Sequence, residues 1–231
     1  MLISEIFYSI QGEGRLTGVP SVFIRTSGCN LRCKWCDTPY ASWKPEGENL
    51  SIADILSKIA AHPARHIVLT GGEPMIAPGI HELADALRAT NYHITIETAG
   101  TIPRAGIACD LASISPKLSN STPSPEQIDA AWITRHESTR TRPDILRDWV
   151  SFDASQLKFV YSGPRDLDEI QKLISDIGTP IAPSDILLMP EGINEKALAE
   201  RQKELLEICL VNGYRFCDRL HIRLFGNSKG T

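Results

Sequence analysis

Nowhere does this 231-residue sequence string together the roughly 18 to 20 apolar residues that cross a bilayer. Met1-Leu2-Ile3-Ser4-Glu5 likewise has none of the layout of a secretory signal. No membrane partner is expected, and the cytoplasm is the expected location. Nor is there a surplus of positive charge. The 24 Lys and Arg stand against 28 Asp and Glu, for a net charge of −4, which argues against a broad surface that tracks phosphates. The one arginine-rich stretch, Arg135, Arg140, Arg142 and Arg147, is interleaved with Glu137, Asp144 and Asp148 and reads as a solvated face. Nucleic acid is therefore not an expected partner. No internal repeat is visible.

What is present suits one ordinary α/β domain spanning residues 1–231, since 42% hydrophobic residues supply a sizeable core. Short β-rich runs recur at Ser21 to Ser27, His66 to Thr70, His93 to Thr98, Gln156 to Tyr161 and Asp185 to Met189. Between them lie helical patterns. Ser51 and Asp54 form a capping box ahead of Ile52, Ile55, Leu56 and Ile59. The same spacing returns in Ile80, Leu83, Ala84 and Leu87, and in Ile170, Leu173, Ile174 and Ile177. Alternation of this kind produces parallel strands. A polar helix is expected from Asn194 to Asn212 with Gly213 as its stop, then a last strand from Arg219 to Phe225. Ser124 and Pro125 read as the start of another helix. The stretch from His136 to Ser151 has weak periodicity and reads as a surface excursion.

Six cysteines without a secretory signal suggest ligation or catalysis before disulfides. Cys109, Cys209 and Cys217 are scattered among apolar neighbours and read as buried thiols. Cys29, Cys33 and Cys36 instead lie within eight residues, in C-x3-C-x2-C spacing, directly after a predicted buried strand. Thiolates suit iron–sulfur clusters or zinc, and three of them can hold one cube while leaving a fourth iron open. Structural zinc needs a fourth ligand, and no nearby Cys or His pair supplies it. An electron-carrying ferredoxin normally has four cysteines per cluster.

With Trp35 before the last cysteine, this motif resembles the signature of the radical S-adenosylmethionine superfamily. The resemblance implies a partial (β/α)6 TIM-like barrel, a 4Fe-4S cluster on Cys29, Cys33 and Cys36, and S-adenosylmethionine cleaved by one-electron reduction. Thr70-Gly71-Gly72-Glu73-Pro74, a strand running into a double glycine, is similar to the superfamily's second motif. By the same resemblance, Trp35, Cys36, Asp37, Gly72, Glu73, Ser115, Pro116, Lys117, Gln156, Leu157, Lys158 and Phe159 are assigned to S-adenosylmethionine. Glu97, at another strand end, reads as a cofactor or substrate contact or as a surface carboxylate.

The opening Glu5-Ile6-Phe7-Tyr8-Ser9-Ile10-Gln11-Gly12-Glu13-Gly14 reads by itself as a hairpin. Together with Gly18 to Arg25 and Cys36-Asp37-Thr38 it resembles the 7-carboxy-7-deazaguanine synthase family. That resemblance implies ring contraction of 6-carboxy-5,6,7,8-tetrahydropterin with loss of ammonia, on the way to queuosine and related deazapurines. It implies pterin contacts from Ile10, Gln11, Gly12 and Thr70, and pairing of the pterin carboxylate with Arg25, whose planar guanidinium suits it. It also implies Mg2+ at Thr38, a tail ending at Thr231 that reaches substrate near His221, a homodimer, and a flavodoxin or ferredoxin as electron donor. Two other readings are a glycyl-radical-activating enzyme of the same superfamily and a non-catalytic iron–sulfur carrier.

Overall fold

A computed structural model describes residues 1–231. Nine strands form one sheet: β1 (Leu2–Ile10), β2 (Pro20–Thr26), β3 (Glu48–Asn49), β4 (His66–Gly71), β5 (His93–Thr98), β6 (Leu111–Ile114), β7 (Ser155–Tyr161), β8 (Ile186–Pro190) and β9 (Arg215–Phe216). The helices are α1 (Pro39–Ser42), α2 (Ile52–Ala60), α3 (Ile80–Ala89), α4 (Ala130–Thr139), α5 (Pro143–Val150), α6 (Arg165–Ile177), α7 (Glu195–Asn212) and α8 (Leu220–Phe225). The strand order is β3-β1-β2-β4-β5-β6-β7-β8-β9, and every pair from β2 to β9 is parallel. Six of these parallel strands, β2 and β4 to β8, make the expected partial barrel. It stays open, because β3 and β9 end the sheet without meeting. The N-terminal hairpin is seen as β1 antiparallel to β2.

Strand alternation sorts the side chains into two populations. Val22, Ile24, Ile67, Leu69, Ile94, Ile96, Leu157, Phe159, Ile186 and Leu188 face outward into a core of 35 buried residues beneath the helices. The alternate positions Arg25, Thr70, Glu97, Ser113, Lys158 and Met189 face the hollow of the half-barrel. The capping box is present at Ser51 and Asp54, and Gly213 ends α7 in the left-handed conformation that a glycine accepts most readily.

Three expectations need correction. Arg219 to Phe225 is not a strand: Leu220–Phe225 is the helix α8, because Ile222 alone packs inward while Leu224 and Phe225 stay exposed. Ser124 opens a turn, with Gln127 N–H donating to its carbonyl at 2.9 Å, and the helix that follows starts later, capped by Asp129 through Trp132 N–H. The stretch from His136 to Ser151 is no surface excursion. It contains the end of α4 and all of α5, which drives Ile145, Leu146 and Trp149 into the main core. Short helices broken at Arg140 to Arg142 left too few turns for the period to register.

Two buried histidines brace this architecture. His66 meets Ser21 Oγ at 2.6 Å through Nδ1 and Thr95 Oγ1 at 2.8 Å through Nε2, across β2, β4 and β5. His136 Nδ1 accepts from Arg32 N–H at 3.1 Å, and its Nε2 lies 3.0 Å from Ser121 Oγ. Burial, helped by the His93 charge at His66, lowers both to about 4. In an unfolded chain each titrates near 6.5, so the unfolded state takes up the proton first as pH falls. The stability that neutral burial supplies is thus complete above about pH 6.5 and drains away down to about pH 4, by up to roughly 3–4 kcal/mol per histidine. Thermal midpoints between pH 7.5 and 4 should fall through that window. A flat profile there contradicts the assignment.

Candidate active site

The hollow at the C-terminal ends of the strands is a cavity of about 490 Å³. Its cysteine wall is the loop after β2, held from four directions. Lys34 N–H donates to the Ser121 carbonyl at 2.9 Å, Trp35 Nε1 to the Asn120 carbonyl at 2.9 Å, Arg32 N–H to His136, and Trp43 Nε1 to the Cys33 carbonyl at 3.1 Å. Cys29, Cys33 and Cys36 all line the cavity, and all six cysteines are free. Burial pushes the Cys29 and Cys33 thiols up to about 12. They are neutral in the bare protein and lose their protons on binding metal. No three His, Cys, Asp or Glu side chains gather on one point, as a mononuclear site requires. Three soft donors spread along one wall suit a cube gripped at three corners, so the donor set fits an iron–sulfur cluster.

The double glycine of the β4 turn brings backbone against backbone. A Cβ at Gly72 would stand 2.1 Å from the Gly28 carbonyl oxygen and 2.8 Å from that of Ala41. Glu73 then turns beneath the loop. It is fully buried and accepts from Met75 N–H at 3.1 Å, Thr98 Oγ1 at 2.8 Å and Ala99 N–H at 2.8 Å. Burial raises its carboxyl above the ordinary range despite these donors.

Of the residues assigned to S-adenosylmethionine, Trp35, Cys36, Asp37, Gly72, Ser115, Lys117 and Lys158 line the cavity. Glu73, Pro116, Gln156, Leu157 and Phe159 do not. Leu157 and Phe159 sit one residue out of phase with Lys158 and so join the outward core. Gln156 is committed elsewhere, accepting from Arg15 N–H at 2.9 Å and donating to Ser113 Oγ at 2.8 Å. Every residue assigned to substrate, Ile10, Gln11, Gly12, Arg25, Thr70 and Thr231, lines the cavity, as do Thr38 and His221.

On this second wall Glu97 is no surface carboxylate. It accepts from Gln11 Nε2 at 3.1 Å and Thr70 Oγ1 at 3.2 Å, with Lys158 Nζ 3.8 Å away. Arg25 donates through Nε to Glu5 at 2.6 Å, and Tyr40 donates to the same oxygen at 2.8 Å. Glu13 pairs with Lys158 at 2.5 Å and with Arg219 at 2.9 Å. Burial opposes charge on Glu13, but Lys158, Arg219 and His221 outweigh it and hold the carboxyl well below the usual range. The sequence reading gave no role to Glu5, Glu13, Tyr40 or Arg219. The one available signal for Arg219 is its place at the head of the alternating stretch Leu220-His221-Ile222-Arg223.

The signature of the Radical SAM superfamily matches residues 23–145. A protein of Rhodopirellula baltica named 7-carboxy-7-deazaguanine synthase is 48% identical, over 100% of this chain and 89% of that one. One of Halobacterium salinarum with the same name is 43% identical, over 99% and 92%. The chain belongs to the 7-carboxy-7-deazaguanine synthase family. It is a radical S-adenosylmethionine enzyme, and the superfamily implies both that cofactor and a 4Fe-4S cluster. The crystal structure of QueE from Escherichia coli superposes with a TM-score of 0.68 at 28% identity, covering 95% of this chain and 94% of that one. These relatives favour the family reading over the glycyl-radical-activating alternative.

Proposed function

We propose that this enzyme converts 6-carboxy-5,6,7,8-tetrahydropterin to 7-carboxy-7-deazaguanine with loss of ammonia. The observation that carries the reading is one cavity with a three-cysteine wall on one side and, on the other, an arginine beside a carboxylate array. Cys29, Cys33 and Cys36 would hold the cluster, which would supply the one-electron chemistry that S-adenosylmethionine needs to serve as a radical source. The chain's own residues hold and orient. Trp35, Asp37, Gly72, Ser115, Lys117 and Lys158 receive the cofactor; Gly72 lets the cysteine loop close against the end of β4 beside it.

Arg25 is anchored through Nε alone, which leaves its terminal nitrogens for the pterin carboxylate in a bidentate grip. Glu97, flanked by Gln11 and Thr70, accepts from the N–H edge of the ring. Ile10, Gly12 and Thr231 close around it and exclude water, so that the reacting carbon and hydrogen are held in near-attack geometry. Mg2+ is proposed beside Thr38; a hard cation that keeps its waters and recruits substrate oxygens needs few protein ligands. A homodimer in the cytoplasm, reduced by a flavodoxin or ferredoxin, completes the reading.

The test is anaerobic turnover of the reconstituted, reduced protein with S-adenosylmethionine, Mg2+ and the pterin, followed by mass spectrometry. The expected product is 7-carboxy-7-deazaguanine, absent with Cys29→Ala. Formation of 5′-deoxyadenosine alone discards the substrate.

A further inference from the structure

The two walls of the cavity are joined by an unbroken chain of charge. It runs from Asp37, next to the last cysteine of the motif, through Arg219, Glu13 and Lys158 to Glu97. Arg219 is its hinge point. Only 7% of its side chain is exposed, and its guanidinium takes one acceptor from each of three loops distant in sequence. These are the Glu13 carboxylate at 2.9 Å, the Asp37 carboxylate, and the Gly192 carbonyl at 2.6 Å.

We propose that Arg219 is the positioning residue that sets the spacing between the cofactor wall and the substrate wall. The inference rests on the reading above, in which cofactor and pterin lie side by side in this cavity. Without the guanidinium, the buried Glu13 carboxylate and the partly exposed Asp37 carboxylate lose their shared cation and push the two walls apart as like charges. A planar fork meets three acceptors in fixed directions, whereas a lysine ammonium keeps the charge on a flexible stem and cannot hold the same three. The start of α8 is locked to the substrate side as well. Leu220 N–H donates to the Gly12 carbonyl at 2.9 Å, and a Cβ at Gly12 would fall 2.0 Å from His221 Nδ1. Arg219 N–H is itself fixed by Asp218 at 2.8 Å.

A residue that only stabilises the fold lowers every activity together. One that sets the spacing separates cofactor cleavage from substrate conversion, because hydrogen transfer depends on distance and cleavage at the cysteine wall does not. The experiment therefore compares the cluster-loaded wild type with Arg219→Gln and Arg219→Lys in anaerobic turnover. Product and 5′-deoxyadenosine are counted in the same mixture, alongside iron content, the reduced-cluster EPR signal and the thermal midpoint of the apo chains. Arg219→Gln is expected to keep its iron and EPR signal and still form 5′-deoxyadenosine. Its product per 5′-deoxyadenosine should fall about a hundredfold, the loss a displacement near 1 Å can cause. Arg219→Lys should recover the midpoint more than the ratio. An unchanged ratio with a lowered midpoint reduces Arg219 to a structural role and overturns the proposal. If Arg219→Gln does not fold, Arg219→Lys, which keeps a charge between the two carboxylates, decides by the same ratio. A wild type that makes no product overturns the functional reading itself.

Discussion

Lys158→Met is expected to destabilise the folded chain by about 3–5 kcal/mol, the usual cost of stripping one partner from a buried ion pair. Lys158 is 4% exposed, and its ammonium sits 2.5 Å from Glu13 and 3.8 Å from Glu97. Burial alone would discharge it, yet the two carboxylates hold its pKa above that of a free lysine. Methionine fills much the same volume, so the loss is electrostatic rather than a cavity. Glu13 keeps Arg219 but loses its nearest cation, while burial still opposes its charge. Urea denaturation at pH 7 reads the loss. The double variant Glu13→Gln/Lys158→Met should regain most of it, because a neutral amide needs no counter-charge. No recovery in the double would falsify the electrostatic account.

The pair also predicts a second acid transition, separate from that of the histidines. A carboxyl whose folded pKa is depressed adds stability above its unfolded value, near 4.3 for glutamate, and loses it as pH falls through the folded value. For Glu13 that window lies below the one in which His66 and His136 act.

Gly72→Ala should be nearly as damaging to the site while leaving most of the fold in place. The added carbon would lie 2.1 Å from one backbone oxygen and 2.8 Å from another. Neither is the far end of a flexible side chain, so the strand end and the cysteine loop must separate. Overpacking of this kind costs about 1–3 kcal/mol. The functional cost is larger, because the oxygen that must retreat belongs to Gly28, the residue before Cys29. A displacement near 1 Å at the first ligand moves the cysteine wall off its geometry, a shift worth about a hundredfold in rate. Iron bound per chain and the affinity for S-adenosylmethionine should both drop, with far-UV circular dichroism unchanged. Full iron loading and unaltered affinity would show that the backbones can part without consequence.

Much of this was legible in the sequence for reasons of period and spacing. Buried parallel strands such as His66–Gly71 and His93–Thr98 announce themselves as apolar β-branched runs, and the cysteines announce themselves by their separation. Side-chain phase is legible in β7 as well: a strand offers every other residue to one face, so Gln156 to Phe159 cannot meet the cofactor as a block. The long-range pairs were hidden. Nothing near residue 13 or residue 219 in the chain points to the other, since a salt bridge between distant loops leaves no periodic trace. Helix α8 is not legible in the sequence, because Leu220-His221-Ile222 alternates as a strand would and six residues are too few to separate the two periods. The inward face of Trp149 is hidden in the same way, because α5 is only eight residues long.

The separation of these partners governs when a growing chain becomes competent. Cys29, Cys33 and Cys36 leave the ribosome early, but their loop leans on Asn120, Ser121 and His136, the last 104 residues beyond Arg32. Glu13 waits still longer, for a partner 206 residues away. Since synthesis proceeds from the N-terminus, the thiols emerge as a flexible, unshielded trio well before their socket exists. The socket of the cysteine loop can close once His136 has been made, whereas the Glu13 pairing across the cavity waits for the last stretch of synthesis.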